Sequence, residues 1–206
     1  MEDALRRQLA AAVGSSGMDA ENVVRPANVT QLREVLAACV AASVAAAVFG
    51  SARAASAPVV IAADNLDSIL LDATALLLHA GAAATWIAVR EAATARRMEV
   101  SALPSVRSET VGESVALGEI AHRTIAGVDL LTNAGELISA GGRTLKDVVG
   151  YDLAGLALGS GSRLGVIVAV TLRLDPAGSR TPAQPGLGPW RGDEVIDVGA
   201  AFAQAG

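Results

Sequence analysis

The sequence predicts an α+β domain built as two small lobes. Short apolar runs alternate with segments of helical spacing along most of the chain, and Gly or Pro marks many of the junctions. The length of 206 residues suits one large domain or two small lobes and is enough to bury a sizeable core. In such an arrangement a ligand is expected between the lobes.

Residues 3–13 have helical spacing, with Leu5, Leu9 and Val13 on one face, and Gly14 to Gly17 break the pattern. Val23 and Val24 read as a short strand ended by Pro26. Asn28 is placed to cap a helix, with Gln31 at the capping-box position and Leu32, Val35, Leu36 and Cys39 turned inward. Buried strands are expected at 44–49 and 58–62, an apolar segment at 66–71, and a strand at 76–80 closed by Gly81. Thr85 caps a helix expected to run through Arg97, with Trp86, Val89 and Ala93 inside. Residues 111–121 read as a glycine turn leading into a helix. Residues 125–132 and 136–139 form a hairpin around Asn133-Ala134-Gly135, and Gly141-Gly142 marks a second turn. The clearest strand is 164–174, with Val166, Val168, Val170 and Leu172 on one face. These elements place lobe one at about 1–100 and lobe two at about 101–176. Residues 177–206 form a Pro/Gly-rich tail with room for a short helix at 193–205.

Composition excludes several classes of function. Half the residues are apolar, but the excess is alanine and aromatics are scarce, so cohesion comes from many close contacts rather than a few large anchors. The net charge is −5 with no basic cluster, which leaves nucleic-acid binding without an electrostatic footprint. The single cysteine, Cys39, has no internal disulfide partner, so a reducing cytoplasm is the natural setting. Residues 36–52 and 73–89 lack charge and approach membrane-spanning length, yet each changes from one structural pattern to another part-way, and both read as buried interior. Two histidines and one cysteine, far apart, make no metal site.

Residues 141–176 carry the strongest motif. Gly141-Gly142, Lys146-Asp147, Gly150-Tyr151-Asp152-Leu153, Gly159-Ser160 and Leu164-Gly165-Val166-Ile167 lead into the long strand. This pattern resembles the segment that closes the FAD-binding domain of the vanillyl-alcohol oxidase and p-cresol methylhydroxylase superfamily. It is most similar to the glycolate oxidase FAD-binding subunit and D-lactate dehydrogenase branch. Upstream, residues 23–51 resemble that family's opening strand, helix and strand with a phosphate loop, 76–100 its Ala-Gly turn and helix, and 110–121 its Thr-Ile-Gly-Gly segment. The resemblance implies a two-lobed FAD-binding domain of the p-cresol methylhydroxylase type. It also implies that the substrate-binding cap domain, which follows the flavin domain in that family, is absent here.

A diphosphate needs converging backbone N–H groups unobstructed by side chains, which favours glycine and small residues. Phe49, Gly50, Ser51 and Ala52 are expected to supply one such cradle, with Arg53 adding a cation. Val111, Gly112 and Ser114 are expected to supply a second at a helix start, while Gly165 lets the flavin edge approach Val166 and Ile167. Three departures stand against this pattern. Only Gly50 remains in the phosphate loop, the stretch 119–129 is short, and Glu113 replaces the second glycine of the Gly-Gly pair. A carboxylate about 5–6 Å from a phosphate charge costs about 3 kcal/mol at an effective dielectric of 20, near a hundredfold in affinity, unless it points outward or pairs with Arg53 or Arg107.

Other conspicuous residues have plainer readings. His79 reads as a satisfied core histidine, His122 as a surface residue, and Lys146-Asp147 as an exposed helix start. Tyr151 and Asp152 read as packing and hydrogen-bonding residues, Trp86 as a core anchor, and Trp190 as a docking residue for a partner. Gly159 to Ser162 resembles a nucleotide phosphate loop only superficially, since no Lys-Ser/Thr pair follows. No catalytic residue is assigned. The resemblance implies an FAD-binding subunit that passes hydride from a 2-hydroxy acid to flavin N5, working with a substrate-bearing chain or an iron–sulfur electron acceptor. The rival expectation is a cofactor-free relic of the fold serving as a structural or regulatory subunit.

Overall fold

The computed structural model describes residues 3–19, 22–48, 57–141, 152–179, 182–183, 185–186 and 188–189. The expected phosphate loop from Phe49 to Arg53, Lys146, Asp147, Tyr151, Trp190 and the terminal helix lie outside the described residues.

The first lobe pairs two helices with a small parallel sheet. Helix α1 (Asp3–Val13) buries Leu5, Leu9 and Val13 against α2 (Val29–Ala41), which contributes Leu32, Val35, Leu36 and Cys39. The Asn28 cap forms as expected: its side chain accepts the Gln31 N–H at 3.0 Å, and the Gln31 side chain accepts the Ala27 N–H at 2.7 Å. Strands β1 (Val23–Val24), β2 (Ala46–Val48) and β3 (Val59–Ile61) are parallel in the order β1-β3-β2. Burying each leucine or valine of this core contributes roughly 1.5–3 kcal/mol.

The larger sheet holds β4 (Ile69–Asp72), β5 (Leu77–Gly81), β7 (Ile125–Leu131), β8 (Leu137–Gly141) and β9 (Val166–Pro176), in the order β4-β5-β9-β7-β8. Strand β6 (Met98–Val100) pairs with the far end of β9. Helices α3 (Trp86–Thr94), α4 (Val111–Ala116) and α5 (Leu153–Ala157) complete this half. The segment 69–100 therefore joins the second sheet, so the lobes divide near residue 65 rather than near 100. Local spacing reports an element's type but not which sheet it joins. Helix α3 stops at Thr94 instead of Arg97, because Arg97 turns left-handed (φ 56°) to start β6. Helix α4 stops at Ala116, where the Glu119 N–H closes back on the Ser114 carbonyl at 2.8 Å. The hairpin β7-β8 forms as its turn sequence implies.

The long strand differs from its expected pattern in one respect. Asp129 of β7 pairs with Ala169, but Leu130 pairs with Ile167, so Val168 is an extra residue in β9. Beyond this bulge the faces exchange. Val166 and Val168 pack into the first-lobe core, whereas Ile167, Val170, Leu172 and Leu174 pack into the second. Among the described residues no helix is long and apolar enough to cross a membrane.

Gly165 sits where the chain enters β9, with φ +151°, and a Cβ there would lie 2.4 Å from the Leu131 carbonyl oxygen. Gly165→Ala should therefore destabilise the protein by about 2 kcal/mol or more, read as a lower urea midpoint at unchanged slope.

Candidate functional site

A cleft of about 510 Å³ opens between the lobes at the carboxyl ends of the parallel strands. Open α/β sheets place ligands at that end of their strands. Val48, Ala63 and Asp64 form the first-lobe wall. The second-lobe wall comes from three short segments, 82–85, 109–117 and 159–163, rich in Ala, Gly and Ser, together with Ile167 of β9. Small side chains leave the main chain bare along much of this wall.

Tertiary hydrogen bonds hold the segments together. Thr85 caps α3 by accepting the Ala88 N–H, and Thr110 caps α4 by accepting the Glu113 N–H at 3.4 Å. The two caps face each other across an antiparallel bridge, reinforced by the Trp86 N–H donating to the Glu109 carbonyl. The loop 159–163 is fastened to α4 by the Gly159 and Gly161 N–H groups, which donate to Val115 and Ala116 at 2.8 Å each. The Gly188 N–H donates to the Gly118 carbonyl, bringing Pro189 of the tail to the cleft's edge.

Of the described residues expected to touch a cofactor, only Gly112 and Ile167 line the cleft. Val111, Ser114, Gly165 and Val166 are buried in packing. The α4 start does not offer the free donors expected of it. Val111 N–H donates to Ala84, Gly112 N–H to Ala82 at 2.8 Å, Glu113 N–H to the Thr110 hydroxyl, and Ser114 N–H to the Thr110 carbonyl. Gly112 is required there by close approach, since a Cβ would stand 2.7 Å from that of Ala82. Gly165 likewise makes room for β7.

Ser114 belongs to a buried relay. Trp86 Nε1 donates to Ser114 Oγ at 2.7 Å, and Ser114 Oγ donates to Glu119 Oε2 at 3.5 Å. Glu119 also accepts the Ser108 and Arg107 backbone N–H groups at 2.9 and 3.1 Å. Burial pushes the Glu119 carboxyl up, but the donors at Ser108, Arg107 and Ser114 outweigh it and hold the group below the ordinary glutamate range.

The cleft's polar inventory is uneven. Ser160 is 1 % exposed and, among the described residues, its Oγ has no hydrogen-bond partner, which leaves a buried hydroxyl for a ligand to satisfy. Among the described residues, Asp64, Glu109 and Glu113 bring three carboxylates to the cleft, against one lining cation, Arg163. Asp64 pairs with Arg25 Nε at 3.3 Å, and Arg25 also holds Asp19 at 3.0 Å. Glu113 is half-buried and, among the described residues, has no ion-pair partner. Bare main chain and an unpartnered hydroxyl suit a flat ring with a hydroxylated chain. The α4 corner does not suit a diphosphate.

The remaining conspicuous residues lie elsewhere. His79 is half-buried on the outer sheet face, its Nδ1 3.1 Å from Thr171 Oγ1 and its Nε2 3.7 Å from Asp129. It is satisfied, as expected, but it is not enclosed in the core. His122 Nε2 pairs with Asp152 at 2.8 Å, and Asp152 also caps α5 by accepting the Gly155 N–H. That cap, then His122, holds the Asp152 carboxyl below its usual range despite partial burial. Burial raises the Cys39 thiol. Among the described residues no group of His, Cys, Asp and Glu could hold a metal ion. The cleft residues missed from sequence, chiefly Ala82, Ala83, Thr85, Thr110, Ser160 and Arg163, carried one available signal: each lies in a segment of the family-like motifs.

Ser114→Ala should cost about 1–3 kcal/mol by leaving the Trp86 N–H unsatisfied, checked by urea unfolding with tryptophan emission as the probe. Because the Glu119 pKa is depressed by folding, its contribution is present at neutral pH and is lost as pH falls through and below the ordinary glutamate range. Glu119→Gln should flatten the acid side of the stability profile there, measured as unfolding midpoint against pH.

No family model matches the chain. Two curated relatives, uncharacterized FAD-linked oxidoreductases from two strains of Mycobacterium tuberculosis, are each 29% identical over 139 residues. The match takes in 62% of this chain but only 30% of each relative. A solved structure of an alkyldihydroxyacetonephosphate synthase superposes with a TM-score of 0.67 at 12% identity, over 85% of this chain and 41% of that one. The chain thus spans less than half the length of these proteins and shares its fold with the synthase.

Proposed function

We propose that the chain is the flavin-binding domain of an FAD-linked oxidoreductase, with the interlobe cleft as the flavin site. The observation that carries this reading is the cleft itself. It runs along bare Ala, Gly and Ser main chain at the strand ends, and it contains the unpartnered Ser160 hydroxyl. The similarity to FAD-linked oxidoreductases supports the cofactor class. A bound flavin would supply two-electron chemistry at its ring. The protein's own residues would orient it: Ala82 to Thr85 and Ile167 as an apolar wall, and Ser160 as a hydrogen-bond partner. At a finer level, the motif resemblance supports a 2-hydroxy acid such as glycolate or lactate as reductant. It equally supports a partner chain that supplies the substrate-binding groups or accepts electrons.

A second reading has its own observation. Among the described residues, Glu113 stands half-buried in the cleft without an ion-pair partner, while the adjacent first-turn amides of α4 are all internally satisfied. A domain that no longer holds a cofactor, kept for structure or regulation, would tolerate both.

Gel filtration of the purified chain after incubation with FAD or riboflavin separates the two readings. Yellow flavin absorbance co-eluting with the protein is expected, and Ala83→Phe, which fills the cleft from its wall, should abolish it without lowering the melting temperature by more than about 3 °C. Failure of both flavins to co-elute with the wild-type protein would leave the cofactor-free reading.

A further inference from the structure

Resting on the flavin reading above, we propose that Glu113 is a charge filter: the cleft favours a flavin's uncharged ring and hydroxylated chain and disfavours any ligand that brings phosphate to the α4 corner. Four observations meet at this corner. The first-turn N–H groups of α4, from Val111 to Ser114, are all donated within the protein, so no amide there is left to receive an anion. Glu113 is half-buried, lines the cleft and has no cationic partner among the described residues. Glu109 and Asp64, which also line the cleft, add to the negative potential; Arg25 pairs with Asp64, and among the described residues Arg163 is the one cation in the lining. Independently of these charges, the buried Ser160 Oγ lacks a partner among the described residues in the same cleft, which leaves a hydrogen-bonding position in the wall for the ligand.

Glu113 also has a structural role to be weighed. It stands three residues after the Thr110 cap, where an acidic side chain favours the helix start. That role predicts an effect on stability alone. The filter predicts an effect on ligand choice, and glutamine separates the two because it keeps the side chain's shape and removes its charge.

The test is titration of riboflavin and of FAD against the full chain, followed by flavin fluorescence, with wild type and Glu113→Gln compared at low and high salt. Wild type should bind riboflavin roughly tenfold or more tighter than FAD. Glu113→Gln should tighten FAD by about a hundredfold while leaving riboflavin within about threefold. Salt should narrow the gap in wild type and not in the variant. Ser160→Ala should weaken both flavins together, by about two- to tenfold. Equal or tighter FAD binding by wild type, or an unchanged FAD-to-riboflavin ratio in Glu113→Gln, would overturn the filter and leave the flavin site standing. No binding of either flavin by either protein would instead overturn the flavin site itself.

Discussion

A single bulge in a single strand lets this chain serve two cores. β9 is the central strand of the larger sheet, flanked by β5 and β7, and it is buried on both faces. Were its alternation unbroken, Val166, Val168, Val170 and Leu172 would share one face and one core. The extra residue at Val168 exchanges the faces, so the strand's beginning packs under α1 and α2 while its remainder packs under α3 and α4. Leu131 and Leu130 of β7 follow the same division opposite Val166 and Ile167. The lobes are thereby fixed back to back through shared strands, and the space left at their common edge is the cleft.

The cleft is small-walled because the chain crosses itself closely there. Gly112 lies against Ala82, and Gly165 against the Leu131 carbonyl. Glycines that read in sequence as places for a ligand to approach are also places where another segment of the same chain approaches. The two demands are identical locally, since both need a missing Cβ, and only the tertiary neighbours tell them apart.

Hydrogen bonding at the site is similarly absorbed inward. The Trp86–Ser114–Glu119 relay spends a serine hydroxyl and a carboxylate on anchoring the 107–108 segment over α4. The caps Thr85 and Thr110 spend theirs on the two helix starts. Against this background, two residues of the cleft stand apart: among the described residues the buried Ser160 hydroxyl has no partner, and the half-buried Glu113 carboxylate has no cation. A buried polar group without a protein partner calls for an explanation, and a ligand in the cleft would supply one for Ser160.

By itself the sequence determined the local elements. Leu5, Leu9 and Val13 repeat at helical spacing and are buried, Asn28 and Thr85 cap because their side chains accept from the amide three residues on, and Asn133-Ala134-Gly135 turns because glycine there tolerates a left-handed backbone. The family-like motifs also marked the segments that form the cleft. Only the tertiary structure decided which lobe 69–100 joins, that β9 changes face at Val168, and that Ser114 faces Trp86 while Glu113 faces the cleft. The physical reason is common to all three. Periodicity and capping are set by neighbours within a few residues, whereas strand partners, close crossings and the direction of a single side chain are set by residues far away in the chain, whose approach no local pattern records.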